Sequence, residues 1–446
     1  MATHEVSRRA FIEKTAAATV GLGVAGSVHL RAQGANDRIV LAVMGVNGRG
    51  SQLARVLATI PGVEVGCICD VDDSALAKGV AAVVKTGARE PKTAKDIRRV
   101  LEDRSFHAVA IAAPDHWHAP AAMLACAAGK DVYVEKPCSH NPLEGELLVA
   151  AARRYNRIVQ MGSQRRSWPN VVALTKQIRE GTLIGRVYFA RGWYANTRAA
   201  IGVGKPAPVP AGLDYELWQG PAPRREYKDN LIHYNWHWFW NWGTSEACNN
   251  GTHEIDVMRW AMGVTFPTRV ESAGGRYHYK DDWECADTQV ATFEFDGDKS
   301  FIWEGRSCNG FRTEGLSRGV TFHGEAGSVL VNDNGYTVYD QKMKVVSEVK
   351  DVAEQSTVDT TGPGDRLDRG HLVNFIDCMR SRKAPNAEIE EGHRSVVLCH
   401  LANIAYRVGH TLRCDPANGH ILDDPQAVAL WGRTYEPGWE PEGFKG

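Results

Sequence analysis

Gly45-Val46-Asn47-Gly48-Arg49-Gly50 follows the apolar run Ile39-Val40-Leu41-Ala42-Val43-Met44 and leads into a helical pattern near Ser51. A continuously apolar strand must be covered on both faces, which a parallel sheet flanked by crossover helices achieves. The alternation continues: Val63 to Cys69, Ala108 to Ala112 and Asp131 to Glu135 are expected as strands. Helical periodicity is expected over Ser51 to Ile60, Asp73 to Lys85, Ala94 to Asp103, and Ala119 to Ala128, the last closed by Gly129. After about Gly162 the pattern predicts longer alternating strands at Val187 to Tyr194, Val270 to Tyr277, Thr288 to Phe295 and Ser300 to Gly305. Turns at Asp296-Gly297 and Asn334-Gly335 suit a mixed or antiparallel sheet, and helices return at Leu372 to Arg380 and Glu391 to Gly409.

A glycine turn between a first strand and a helix lets main-chain N–H groups approach a pyrophosphate. The spacing here is GxxGxG, with Asn47 where a second glycine is usual; Asn tolerates positive φ. Asp70 stands 20 residues beyond Gly50, at the end of the second strand. There a carboxylate accepts hydrogen bonds from a ribose 2′-hydroxyl and repels a 2′-phosphate. Gly45, Asn47, Gly48, Arg49, Gly50 and Asp70 are therefore the expected cofactor contacts, and NAD is favoured over NADP, although Arg49 could serve a phosphate. The fold class that follows is α/β. It comprises an N-terminal Rossmann dinucleotide-binding domain at 36–160, a C-terminal α+β domain with a large, mostly antiparallel open sheet at 161–415, and a tail at 416–446.

The 446 residues carry a net charge of −1, so no global field draws the chain to nucleic acid or an anionic membrane. Ahead of the first strand, Ser7-Arg8-Arg9-Ala10-Phe11-Ile12 and the weakly apolar run to Leu30 resemble a twin-arginine export signal over 1–35, with cleavage after Ala32. That run is too short for a stable membrane anchor, and the resemblance implies export of an already folded chain by the twin-arginine machinery. Ten cysteines show no paired framework, and Cys67 and Cys69 read as small buried apolar residues on one strand face. The Pro- and Gly-rich stretch 202–223 is too long for a simple connector and suits a lid or an oligomer arm.

Two further segments, Ala113-Pro114-Asp115-His116-Trp117-His118 and Gly129-Lys130-Asp131-Val132-Tyr133-Val134-Glu135-Lys136-Pro137, resemble the hallmarks of the Gfo/Idh/MocA family, which includes glucose-fructose oxidoreductase and inositol dehydrogenase. The similarity includes Gly251-Thr252-His253-Glu254-Ile255-Asp256 and Glu391-Gly392-His393-Arg394-Ser395. It implies a homo-oligomer, dimer or tetramer, using the open sheet, with Lys136 and His253 flanking a substrate hydroxyl. It also sets Asn249 and Asp256 beside them, and Pro114, His116, His118, Glu135, Lys136 and Gln164 on the cofactor. Arg166, Tyr234, Trp236, His237, Trp238, Asn250 and His253 fall on a carbohydrate substrate, whose apolar face suits the aromatic run 234–242.

Oxidising a carbinol requires a base for the hydroxyl proton and a cation for the developing alkoxide, which His253 and Lys136 supply by type. The family pattern has Asp where this chain has Asn249. Either His253 is less basic than usual, or Glu246, Glu254 or Asp256 supplies the charge, or Lys136 does more of the proton transfer. The pairs His116/His118 and His233/His237 lack a third ligand at metal spacing, so no metal is expected. The expected function is NAD-dependent oxidation of a carbohydrate or polyol hydroxyl, with NAD retained and cycled because an exported enzyme meets no NAD pool. The alternatives are a glycoside-cleaving or epimerising enzyme working through a transient keto-sugar, and a sugar-binding protein without turnover.

Overall fold

Strand β1 (Ile39–Met44) lies inside a six-stranded parallel sheet ordered β3-β2-β1-β4-β5-β6, with β2 Val63–Cys69, β3 Lys92–Ala94, β4 Ala108–Ile111, β5 Asp131–Val134 and β6 Val159–Met161. The computed structural model describes residues 38–351 and 364–441; the expected export signal at 1–35 lies outside them. The order reverses between β1 and β4, the switch point at whose carboxyl end ligands bind in open α/β sheets.

Two helices begin earlier than the sequence pattern suggests. The first starts at Arg49, immediately after the glycine turn, and another runs Asp115–Ala127, taking His116, Trp117 and His118 into its first turns. Burial of nearly every residue of the latter overrides the modest helix propensity of His and Trp. Over 94–103 the expected single helix resolves into the short β3 and a helix Ile97–Glu102, because the Asp96 side chain caps that helix at Arg98 N–H.

The second sheet has nine strands ordered β14-β13-β12-β11-β7-β10-β9-β8-β15. These are β7 Val187–Ala195, β8 Arg269–Gly275, β9 Thr288–Phe295, β10 Lys299–Arg306, β11 Arg318–Gly324, β12 Gly327–Asn332, β13 Gly335–Asp340, β14 Val345–Lys350 and β15 Leu412–Arg413. Only β7 and β10 pair in parallel; the other neighbours are antiparallel. The β12–β13 turn is Asp333-Asn334, and Gly335 already belongs to β13. Alternation sends Ala291, Phe293, Phe301, Trp303, Val320 and Phe322 into a core beneath the helix Gly251–Met262.

Two late helices hold the site in shape. Although chain order put Asp365–Ser381 with the second domain, its Leu372, Phe375, Ile376 and Met379 complete the first domain's core. The helix Ile389–Val408 is buried on nearly all sides: Ile389 and Val396 join the first domain's core, Val397 and Leu401 the second's. A single helix thus packs into the cores of both domains. Among the described residues no helix is long and apolar enough to cross a membrane. All ten cysteines are unpaired and all but Cys308 are buried.

Candidate active site

A cavity of about 450 Å³ opens at the carboxyl edge of the parallel sheet. Its lining includes Gly45, Asn47, Gly48, Arg49 and Asp70 from the nucleotide motif, and Pro114, His118, Glu135, Lys136 and Gln164 from the later strand ends. The second domain adds Tyr234, Trp236, His237, Asn249, Asn250 and His253. Residues distant in sequence therefore share one space.

The glycines have separate tasks. Gly45 has φ +79°, and a Cβ there would lie 2.5 Å from the Ala113 backbone. At Gly50 a Cβ would lie 1.9 Å from Gly45 O, so Gly50 serves close packing of helix on turn and does not line the cavity. Gly48, the N-cap of Arg49–Leu57, has open space where a side chain would stand, and no side chain caps the helix. This cradle suits a pyrophosphate against free N–H groups. Asn47 does not use the expected left-handed backbone; it accepts a hydrogen bond from Lys78 Nζ at 2.7 Å.

Asp70 accepts from the N–H groups of Val46 (2.7 Å) and Asp72 (3.1 Å), and burial raises its carboxyl pKa. Arg49 is not available to a 2′-phosphate. Its Nε donates to Glu135 at 2.8 Å, and its two terminal nitrogens grip Asp368 at 2.6 and 2.8 Å. Burial opposes its charge, but Glu135 and Asp368 prevail and raise its pKa. The glycine cradle, a facing carboxylate and an occupied arginine together fit NAD.

At the other end, Lys136 Nζ donates to Asn249 O at 2.7 Å and lies 3.3 Å from Asn249 Oδ1. Burial lowers the Lys136 pKa, partly offset by Glu135 and Asp115. Glu135 is itself held below the usual carboxylate range: burial works against it, but Arg49 and Lys136 outweigh that penalty. The His253 pKa falls well below the ordinary imidazole value through burial and then through Lys136, Arg318, Arg165 and Arg49. His253 is thus a neutral imidazole near pH 7.

None of the three substitute carboxylates serves it. Glu246 is bound to Arg198 at 2.8 Å, Glu254 to Arg318 at 3.0 Å, and Asp256 to Arg166 at 2.8 Å. The alternative in which His253 is simply less basic is the one the geometry matches.

Several expected contacts lie elsewhere. Arg166 and Asp256 form a buried pair that extends to Ser395 and Glu391, away from the cavity. Trp238 stacks on Trp283 at 3.9 Å in a separate apolar cluster, because its side of the aromatic run faces inward. His116 is fully buried and bonds Trp218 O through Nε2 at 2.9 Å, whereas His118 lines the cavity with Nδ1–H donated to Pro137 O at 2.6 Å.

Sequence reasoning assigned no role to Asp115, whose carboxylate accepts from Thr244 and whose pKa burial raises. It also assigned none to Trp117, Trp218 and His233, which line the cavity, or to Asp368. Asp115 and Trp117 stand inside the quoted motif. Asp368 carries no local signal, since only the fold brings it to Arg49.

Residues 16–163 match the family model described as "Oxidoreductase family, NAD-binding Rossmann fold", and residues 189–309 and 346–440 match "Oxidoreductase family, C-terminal alpha/beta domain". A glycosyl hydrolase family 109 protein of Saccharopolyspora erythraea is 28% identical over 210 residues, covering 42% of this chain and 45% of the relative. An inositol 2-dehydrogenase of Rubrobacter xylanophilus is 32% identical over 173 residues, covering 38% and 48%. The chain thus spans about half the length of these curated relatives. Among solved structures, an oxidoreductase domain protein from Kribbella flavida superposes with a TM-score of 0.66 at 18% identity, covering 84% of this chain and 99% of that one. Matched in both of its domains, the chain belongs to the Gfo/Idh/MocA oxidoreductase family.

Proposed function

We propose that this chain is an NAD-dependent oxidoreductase that oxidises a secondary hydroxyl of a neutral carbohydrate or polyol, with the same NAD retained and restored in each turnover. The observation that carries the reading is the convergence of Lys136 and His253 on the cavity that holds the glycine turn and Asp70. When bound, NAD supplies a hydride acceptor at its nicotinamide ring. Neutral His253 accepts the hydroxyl proton, and the Lys136 ammonium, steered by Asn249 O, stabilises the alkoxide as the carbonyl forms. Tyr234 offers aromatic surface to a sugar ring, and Asn250 and His237 offer polar atoms to its hydroxyls, whereas Trp236, also expected on the sugar, packs with Trp218 and Leu213.

The glycosyl hydrolase family 109 name of one relative supports a second reading of the same site. There, a transient ketone acidifies the neighbouring C–H; a base takes that proton, the anomeric group leaves, and water and hydride are then returned. Both readings keep NAD on the protein, as export through the twin-arginine route would require. Assembly as a dimer or tetramer through the open face of the nine-stranded sheet completes the proposal.

The test is to purify the chain without added cofactor, denature it and identify any released nucleotide. One NAD per chain is expected; an empty chain that turns over only with freely exchanging NAD would exclude cofactor cycling.

A further inference from the structure

We infer that residues 212–236 of the second domain form a closing wall over the adenosine half of the NAD site, and that the C-terminal segment at Trp439 locks this wall in place. The inference rests on the proposed reading of the cavity and adds to it the residues that keep the nucleotide in.

The wall is joined to the loop that follows Asp70. Asp72 and Leu213 form an isolated antiparallel bridge, flanked by Asp214 N–H to Val71 O at 3.0 Å and Asp73 N–H to Gly212 O at 3.2 Å. Lys95 Nζ also donates to Gly212 O, at 3.1 Å, and the His233 ring meets Asp72 at 2.8 Å. The wall carries its own small core of Leu213, Tyr215, Trp218, Leu231 and Trp236, against which Val71 packs. Val71 and Lys95 from one side, and Trp218, His233 and Trp236 from the other, line the same cavity as Asp70. A nucleotide whose ribose meets Asp70 is thus flanked by both sides of this seam, and on this inference opening the seam releases it.

Trp117 is the hinge pin. It lines the cavity, and its indole N–H donates to Trp218 O at 3.0 Å. Gly220 lies so close that a Cβ there would come within 2.2 Å of the indole. Trp439 meets the same indole edge-on, with centroids 5.2 Å apart, while the Arg98 guanidinium lies 4.7 Å from the Trp439 ring. Glu436 N–H donates to Pro221 O at 3.1 Å, and Glu436 accepts from Arg224 N–H at 3.2 Å. The tail is thus stitched to the wall and to the first domain together. Opening the seam breaks this whole set at once, which makes it a rare local unfolding event and nucleotide exchange slow.

The test compares the full chain with its Trp439→Ala and Gly220→Ala variants, after loading with NAD. Retained NAD is counted after dialysis, its exchange is timed with isotopically labelled NAD, and thermal unfolding reports folding. In the parent chain NAD is expected to survive dialysis. Each variant should exchange about tenfold faster or more, the scale of one lost aromatic contact, while Trp439→Ala regains full turnover with excess NAD. Should a variant fold poorly, hydrogen exchange at the Asp73 and Asp214 amides of the parent decides: strong protection that rises with NAD supports the wall, and fast exchange overturns it. Exchange of NAD within seconds in the parent, or identical retention in well-folded variants, also overturns the wall while leaving the NAD reading intact. Absence of NAD binding altogether overturns both.

Discussion

The ammonium of Lys136, on the loop after β5, rests 2.7 Å from the main-chain oxygen of Asn249, which ends a short helix of the other domain. That bond fixes the cation across the cleft and leaves the neutral amide of Asn249 beside it. Replacing Asn249 with Asp puts a negative charge about 3.3 Å from Nζ. A nearby carboxylate favours the protonated forms of Lys136 and His253 and raises their pKa values by about one unit or more. Because the proton acceptor must be unprotonated, the acid limb of kcat/KM for Asn249→Asp is expected to move to higher pH by a similar amount. An unmoved limb would show that neither group accepts the proton.

Cofactor choice follows from Asp70 and from the occupation of Arg49. Asp70→Ser removes the ribose acceptor and the repulsion of a 2′-phosphate while keeping a small polar side chain. Titration should show NAD binding weakened about tenfold, the scale of one charged hydrogen bond, and NADP binding strengthened. Unchanged preference would assign discrimination to another group.

Asp368 is almost fully buried and holds both terminal nitrogens of Arg49. Asp368→Ala leaves the cation bonded to Glu135 and the neutral Gln52, and removes the bidentate tie between the helix Asp365–Ser381 and Arg49. Chemical denaturation should give a loss of about 3 kcal/mol, the lower end for breaking a buried pair, together with weaker NAD binding. A loss below half a kcal/mol would mean the pair contributes no net stability.

Several histidines are buried neutral, with burial lowering His371 and His400 to about 4. Their pKa values lie lower in the folded chain than in the unfolded one, so the unfolded state takes up protons first as pH falls. Stability is complete above the unfolded value near 6.5 and is lost below it, toward pH 4. At pH 5.5 each such group costs about 1.4 kcal/mol relative to pH 8. Melting curves should show His371→Gln losing less stability than the parent between those pH values; parallel losses would contradict the burial of a neutral imidazole.

The first sheet was readable because its strands are continuously apolar and its glycines punctuate them: β1 and β2 begin and end where the pattern sets them. That Lys136 and His253 line the cavity was expected from their local motifs. Arg166 and Asp256 were misplaced because a charged residue beside a motif looks the same whether it meets a ligand or a buried partner such as Ser395. Trp238 illustrates the same limit, since facing cavity or core depends on a 3₁₀ turn at Asn235–Trp238 that the aromatic run does not signal. Part of the wall at 212–236 fell in the long stretch 202–223 that suits a lid or an oligomer arm, but its pairing with Asp72 and Val71 was not legible, because those partners lie more than a hundred residues earlier.

The most direct test of Lys136 and His253 acting on one alcohol is the nicotinamide absorbance of the NAD-loaded chain mixed with a panel of neutral sugars and cyclic polyols. The parent should show substrate-dependent reduction. Lys136→Ala and His253→Ala should each slow it by about a hundredfold or more, with nucleotide content unchanged. Reduction at the parent's rate in both variants would contradict the assignment.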